Sequence, residues 1–200
     1  MDNKPIKTIF CAQKMKFEKT QRLLDLLISV IILPVCLVLI ALLCLITVII
    51  DREPPLFFQT RLGRHKKPFT IIKMRTYSKG TPIAPTHKIS HLPMLSVGNL
   101  YRNLRLDELP QIINVIRGDM SLVGPRPCLP MQIELINLRQ QAGIFDLRPG
   151  ISGLSQVNGV DMSNPNALVA KDSAMINLNI TTYFLVLWTT ILPSLITRKG

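Results

Sequence analysis

Hydrophobic residues are distributed unevenly along the chain. The longest apolar run extends over the 25 residues from Leu26 to Ile50, where Ser29 and Thr47 are the only polar side chains. As one straight helix this run would be roughly 37 Å long, enough to cross the ~30 Å hydrocarbon core of a bilayer. The run is too long for a secretory signal and no small-residue cleavage site follows it, so we expect a membrane helix that stays on the mature protein.

Proline and basic residues favour a different path for this helix. Pro34 divides residues 23–50 into arms of roughly 16 and 24 Å, each too short to span a bilayer. Residues 1–22, a basic N-terminal segment, carry six Lys and Arg and residues 51–75 carry seven, whereas a spanning helix normally has its basic excess on one side. A re-entrant helix with both ends on one face satisfies both observations. A kinked transmembrane anchor is the alternative, because spanning helices tolerate proline.

Shorter patterns after residue 50 predict a small cytosolic α+β domain over 51–200. Residues 56–58 and 69–72 are expected to be short strands joined by a basic turn, with a long surface loop over 78–99. A second amphipathic helix is expected over 130–144, followed by short strands and a glycine-rich loop. The predicted fold class is therefore a mixed α/β membrane protein: a Pro-kinked re-entrant helix, this domain and interfacial helices.

One predicted helix carries candidate chemistry at its start. Its apolar face has helical spacing and consists of Leu109, Ile112, Ile113 and Ile116. Pro110 suits the first turn and Gly118 follows the end, so Asp107 and Glu108 are expected at the helix N-terminus. Acidic side chains there commonly cap free amides and complement the helix dipole. Capping alone would explain an isolated Asp-Glu pair.

The last apolar run, from Tyr183 to Ile196, is too short to span a bilayer and is interrupted by Pro193. Arg198 and Lys199 follow it. We therefore expect an interfacial helix over about 180–197, lying on the same membrane face as the domain.

The net charge of +12 indicates an anionic partner: lipid headgroups, phosphorylated substrates or nucleic acid. We expect no nucleic acid, because the basic residues are spread through loops and neither cluster with aromatics nor form a helix-turn-helix pattern. A basic membrane-tethered binding module therefore stays a minor alternative. The four cysteines show no CxxC spacing and are expected to be reduced thiols.

Ordered motifs accompany the acidic pair. They are Gln21-Arg22-Leu23-Leu24-Asp25, Phe58-Gln59-Thr60-Arg61-Leu62-Gly63, Lys73-Met74-Arg75-Thr76, Asp107-Glu108-Leu109-Pro110-Gln111, the run 118–127, the run 148–153 and Gln156-Val157-Asn158-Gly159. Together they closely resemble the monotopic phosphoglycosyl transferases, bacterial sugar transferases that load a polyprenyl phosphate carrier. The resemblance covers nearly the whole chain from Gln21 onward.

The resemblance implies a reaction centred on Asp107. This carboxylate would attack the sugar-attached phosphate of a UDP-sugar, release UMP and hold a covalent phosphosugar until undecaprenyl phosphate accepts it, an activity of the EC 2.7.8 type. Mg²⁺ is the implied cofactor, with Glu108 and Asp107 as its ligands. The chemistry is sound, since a carboxylate can act in covalent catalysis while the ion neutralises the diphosphate. A catalytically silent scaffold of glycan assembly is the alternative.

Two phosphates must approach a carboxylate that repels them, and arginine offers a bidentate fork for each. Arg126 stands on stiff backbone between two prolines and is the first candidate for the donor phosphates. The further candidates are Arg75, Arg102 and Arg148.

Arg22 matches the family's basic position near the lipid phosphate, although a snorkelling anchor is its ordinary interpretation. Asp25 is the predicted salt-bridge partner of Arg22. The resemblance also implies the cytosolic face of the bacterial inner membrane, contact with membrane lipids and downstream glycosyltransferases, and is compatible with a homodimer.

The chain departs from the family pattern before Pro34 and in a motif near residue 155. Leu33 stands where the family often has Ser before the helix-breaking Pro34. Leu154 and Val160 replace the Trp and the final Arg of the family's Gly-Trp-Ala-Gln-Val-Asn-Gly-Arg motif. Because the motifs around Asp107 are intact, these departures predict altered specificity.

Overall fold

The computed structural model describes residues 4–82, 84 and 91–191, with side chains described from residue 17 to residue 190. Its first element is helix α1, Lys4–Asp51, which continues through Pro34 as a single helix of 48 residues. The two arms expected on either side of Pro34 are therefore parts of one helix. Its segment Phe17–Asp51 is long and apolar enough to cross a membrane.

Helix α1 has one face against the rest of the protein and one face outside it. The buried face includes Asp25, Ser29, Cys36, Leu43 and Thr47, which recur at helical spacing. Aliphatic side chains cover the exposed face, and a continuous apolar surface of this extent is typical of contact with lipid.

A β-hairpin follows, as the sequence predicts. Strand β1, Leu56–Leu62, pairs antiparallel with β2, Pro68–Met74, and a 3-10 turn over Arg64–Lys66 joins them. Both strands are longer than predicted. The pairing register brings Phe57 opposite Lys73, so the end of β2 is fixed relative to the start of β1.

The next elements carry the acidic pair and a small parallel sheet. Helix α2, Gly98–Asn103, precedes a 3-10 turn over Leu106–Glu108 and helix α3, Gln111–Arg117. Strand β3, Ser121–Val123, pairs parallel with β4, Gly150–Ser152. Helix α3 confirms the predicted helix, and Gly118 ends it at φ 92°. Its predicted apolar face is confirmed only in part: Ile112 is buried, whereas the other buried residues are Gln111, Asn114 and Val115. Helix α2 begins within the predicted loop 78–99, of which residues 83 and 85–90 lie outside the described residues.

Four helices complete the described chain: α4, Ile133–Gln141; α5, Leu154–Val157; α6, Pro165–Ser173; and α7, Ile180–Ile191. Helix α4 confirms the helix predicted over 130–144 and is shorter. Helices α5 and α6 were not predicted; α5 lies where the sequence predicts a glycine-rich loop and short strands. Helix α7 covers the first part of the interfacial helix expected over 180–197, whose remaining residues lie outside the described ones.

The main core joins the membrane helix to the domain. Ile112 and Val115 of α3, Val123 of β3 and Tyr183 of α7 are buried together against Cys36 of α1. Helix α3, which follows the acidic pair, and the membrane helix therefore share one hydrophobic core, so the position of α3 depends on α1.

Candidate active site

Asp107 and Glu108 lie in the 3-10 turn before α3, not in the helix itself. Arg105 precedes the turn with a left-handed backbone, φ 56°, and Pro110 is the N-cap residue of α3. Neither of these two N-cap residues forms a capping hydrogen bond through its side chain. The capping hydrogen bonds predicted for the acidic pair are not formed among the described residues, because Glu108 accepts from Lys73 and Arg126 instead and no main-chain amide bonds to either carboxylate.

Glu108 is held between two cations. Lys73 Nζ donates to Oε1 of Glu108 over 3.0 Å, and a guanidinium nitrogen of Arg126 donates to the same oxygen over 3.2 Å. The Glu108 side chain is 12% exposed. Burial alone would raise the pKa of Glu108, but the attraction of Lys73 and Arg126 outweighs it and holds the pKa at about 2.

Asp107 has different surroundings although it is the next residue. Burial raises the pKa of its carboxyl; the charge of Lys73 opposes this rise and the charge of Glu108 adds to it. Asp107 lines a cavity, where its carboxylate can meet a ligand. A carboxylate that is poorly solvated and faces a cavity suits a nucleophile.

The cavity beside Asp107 takes in about 720 Å³ when its open mouth is included, of which about 100 Å³ can hold the centre of a water-sized molecule. Its lining is rich in cations: Arg61, Lys73, Arg75, Arg102 and Arg126. Three of the four arginines predicted to bind phosphate therefore stand around one space with Asp107. An anionic ligand is the chemistry that such a lining favours.

Backbone and ring contacts hold two of these arginines. Arg75 donates to the carbonyls of Pro54 and Leu56 over 2.7 and 3.2 Å. Arg102 donates to the hydroxyl of Tyr77 over 2.9 Å and lies over its ring. Each retains further N–H donors that could bind a ligand, because a guanidinium has five.

The sequence reasoning missed Lys73 and Arg61, which line the cavity. Both lie in motifs that carry the family resemblance. The alternation of side chains along a strand is the sequence pattern that could have identified them. Residues two apart in a strand share a face, so longer predicted strands would have placed Lys73 on one side with Arg75, and Gln59 on one side with Arg61. Arg61 donates to Gln59 over 2.9 Å through Nε.

Arg148 is not part of this group. It lines a second cavity with Arg22 and Arg64, and its Nε donates to the carbonyl of Gly118 over 3.3 Å. The structure therefore places Arg148 at the C-terminal end of α3, the end away from Asp107.

Arg22 binds the same end of α3, donating to the carbonyls of Val115 and Ile116 over 2.7 and 3.1 Å. Asp25 instead accepts from the amide of Leu122 over 3.1 Å and from the hydroxyl of Tyr183 over 2.8 Å. No ion pair joins Arg22 to Asp25, both of which are described, so the predicted salt bridge is wrong. The physical reason is that unpaired main-chain groups of the domain face both side chains.

The residues at the site fit a Mg²⁺ ion only when substrate supplies part of its shell. The described residues contain no group of three or more His, Cys, Asp or Glu able to hold a metal. Mg²⁺ commonly takes one or two carboxylates together with substrate phosphates and water. Asp107, on the cavity, meets that requirement more readily than Glu108, whose Oε1 already bonds to two cations.

Comparison with known proteins gives consistent results. Residues 16–196 match the family described as Bacterial sugar transferase. Uncharacterized sugar transferase EpsL of Bacillus subtilis is 39% identical over 140 residues, which are 70% of this chain and 68% of that protein.

Two relatives are named UDP-glucose:undecaprenyl-phosphate glucose-1-phosphate transferase. The one from Caulobacter vibrioides is 41% identical over 112 residues, covering 54% of this chain and 42% of its own length. The one from Escherichia coli is 38% identical over 112 residues, covering 53% of this chain and 24% of its own length. The matches thus span less than half of these two longer proteins. Since the family match extends over most of the chain, the chain belongs to the bacterial sugar transferase family.

Proposed function

We propose that this protein transfers a sugar-1-phosphate from a UDP-sugar to undecaprenyl phosphate and releases UMP. The observation that carries the proposal is that the two acidic residues have different surroundings. Asp107 lines a cation-rich cavity, while Lys73 and Arg126 neutralise Glu108. The names of the Caulobacter and Escherichia relatives support the two substrates. The reaction would be the first membrane step of a bacterial glycan pathway.

The reaction proceeds in two displacements at one phosphorus. A carboxylate oxygen of Asp107 attacks the sugar-bearing phosphorus, the bond from that phosphorus to the bridging oxygen breaks, and UMP leaves with the bridging oxygen. An oxygen of undecaprenyl phosphate then attacks the same phosphorus and displaces the Asp107 carboxylate. The product is a lipid diphosphate sugar, and Asp107 returns to its starting state.

The cations of the cavity lower the electrostatic cost of both displacements. Arg126, Arg75 and Arg102 stand where a diphosphate must approach the negative Asp107. Mg²⁺, held by Asp107 with Glu108 beside it, would neutralise charge on the diphosphate and improve UMP as a leaving group. Glu108 also keeps Lys73 and Arg126 in place through its two hydrogen bonds.

The membrane helix is proposed to be re-entrant, with both ends at the cytosolic face of the inner membrane. Arg22 bonds to carbonyls of α3 near one end of the apolar run. At the other end Asp51 accepts from the amides of Ser96 and Val97 over 2.7 and 3.4 Å. Because one domain holds both ends, a bilayer between them is disfavoured. Pro34 would supply a bend between the two arms.

The product would be the substrate of downstream glycosyltransferases, which are the proposed partners. Arg22, which lines a cavity with Arg148 beside the start of the membrane helix, is the proposed first contact of the lipid phosphate at membrane entry. From there the phosphate must still move to the cavity of Asp107, near the other end of α3. A homodimer is compatible with this arrangement.

The test is UMP release by purified protein with a panel of UDP-sugars, Mg²⁺ and undecaprenyl phosphate. Wild type should release UMP with at least one donor, and EDTA should stop the release until Mg²⁺ is restored. Asp107→Asn should be inactive, while Asp146→Asn, which changes an exposed carboxylate, should keep the wild-type rate. Absence of UMP release by wild type with every donor would overturn the proposal.

The covalent step has its own measurement. With donor and no acceptor, the intact mass of wild type should increase by one sugar phosphate, and Asp107→Asn should show no increase. Turnover by Asp107→Asn, or an adduct on another residue, would contradict the assigned nucleophile.

A further inference from the structure

A buried ion pair lies behind the cavity and is outside the machinery described so far. Arg139 of α4 donates to a carboxylate oxygen of Asp172 of α6 over 2.6 Å, and the two side chains are 3% and 0% exposed. Removing two charges from water is costly, and an apolar pair of similar volume is often equally stable. Stability is therefore a weak reason for this pair.

The second hydrogen bond of Arg139 points to another role. Its other terminal nitrogen donates to the main-chain carbonyl of Arg126 over 2.7 Å. Arg126 stands between Pro125 and Pro127, and Pro127 has no amide hydrogen with which to join a backbone ladder. The position of this loop therefore depends on groups outside it.

The two neighbouring carbonyls are held in a similar way. The carbonyl of Pro125 accepts from the amide of Gly150 over 2.9 Å, and that of Pro127 accepts from Arg61 over 3.1 Å. Three consecutive carbonyls are thus bonded to three different segments of the protein. Arg139 supplies the central bond, at the residue whose side chain enters the cavity.

We infer that Arg139, oriented by Asp172, is a positioning residue for Arg126. Its bond to the Arg126 carbonyl sets where the Arg126 guanidinium stands, 3.2 Å from Glu108 and on the wall of the Asp107 cavity. Neither Arg139 nor Asp172 lines that cavity. Arg139 acts only through Arg126, and its kinetic consequence rests on the proposed function.

The test uses a double variant, Arg139→Met with Asp172→Leu. Removing both charges together avoids leaving one of them buried and unpaired, so the variant should fold. Arg139→Lys is the second variant, because its single ammonium can keep the ion pair but lacks the planar fork that reaches both partners. Glu134→Gln is the control, since it changes an exposed charge on the same helix.

The direct measurement is a crystal structure of the double variant, or of Arg139→Lys should the double variant not fold. We expect the Arg126 guanidinium to lie beyond hydrogen-bond distance of Glu108 or to occupy several positions. An unchanged Arg126 would overturn the inference. The position of Arg126 in the crystal can be determined without any UDP-sugar donor. Failure of the proposed function would be seen separately, as inactivity of the wild-type protein.

The kinetic measurement separates positioning from a general structural role. Misplacement of Arg126 should lower kcat/KM for the UDP-sugar by about 10²-fold in the double variant, with Glu134→Gln unchanged. In an Arg126→Ala background the same double substitution should change kcat/KM by less than about twofold, because residues that act through one group are not additive. If the double substitution lowers kcat/KM by the same factor in the wild-type and the Arg126→Ala backgrounds, the inference is overturned.

Discussion

Lys73 Nζ lies 3.0 Å from Oε1 of Glu108, and the two side chains are 14% and 12% exposed. This contact joins the β-hairpin to the turn that carries the acidic pair. It also contributes to a difference in pKa between two neighbouring carboxylates. Lys73 and Arg126 hold the pKa of Glu108 at about 2, while burial raises the pKa of Asp107. The contact therefore leaves Asp107 as the carboxylate available to a ligand.

Replacing Lys73 tests whether its contact with Glu108 matters for stability and activity. Lys73→Met leaves the buried Glu108 with Arg126 alone, so we expect the free energy of unfolding to fall by about 3 kcal/mol or more. UMP release should fall at least about 10²-fold, because Lys73 is one of the two cations bonded to Glu108 and also lines the cavity that a diphosphate would enter. Lys67→Met, at an exposed lysine of the same hairpin, is the control. Wild-type activity of Lys73→Met would contradict the role given to this contact.

The two carboxylates should have opposite effects on stability. Because the pKa of Asp107 is raised on folding, the folded state binds this proton more tightly than the unfolded chain, and ionised Asp107 destabilises the fold at pH 7. The pKa of Glu108 is instead lowered from 4.5 to about 2. Its stabilising contribution is fully present above pH 4.5 and is lost as the pH falls toward about 2.

Thermal unfolding at pH 7 measures these signs. Asp107→Asn should raise the unfolding midpoint, while Glu108→Gln should lower the free energy of unfolding by about 1–3 kcal/mol. The deficit of Glu108→Gln relative to wild type should shrink as the pH falls from 4.5 toward 2. A lower midpoint for Asp107→Asn would show that its burial does not oppose folding.

The path of the membrane helix can be tested by labelling. Single cysteines at positions 3 and 53, introduced into a chain without its four native cysteines, should react with an impermeant thiol reagent only after the cells are opened. The reason is that Arg22 and Asp51, near the ends of the apolar run, bond to one domain. Labelling of one position from outside and not the other would end the re-entrant proposal.

Gly150 should be intolerant of any side chain. A Cβ there would collide with the backbone of Gly124, because this residue, which follows β3, lies directly against β4. Gly150→Ala should therefore lower the free energy of unfolding by more than about 3 kcal/mol, with loss of the bond to Pro125. Gly80→Ala is the control, because no heavy atom of a more distant residue lies within 4 Å of a Cβ at this position. Its left-handed backbone alone should lower the free energy of unfolding by about 1–2 kcal/mol. Equal losses would show that the close approach is not the cause.

Local patterns predicted the elements that depend on local structure. The apolar run, the hairpin and helix α3 were all found, because periodicity and turn residues report on neighbours a few positions apart. Helix α6 was missed, and with it Asp172. It has two buried residues, Leu168 and Asp172, and so presents little apolar periodicity.

Ordered motifs and a 25-residue apolar run need no tertiary information, and they were enough to identify the family, the apolar membrane helix and the acidic pair. The folded arrangement was needed to identify the cations that bond to Glu108, because Lys73 and Arg126 are 35 and 18 positions away along the chain. It also separated Arg148 from Asp107, although both lie in family motifs. Contacts of this range are set by the packing of strands and helices in a shared core, which no local pattern records.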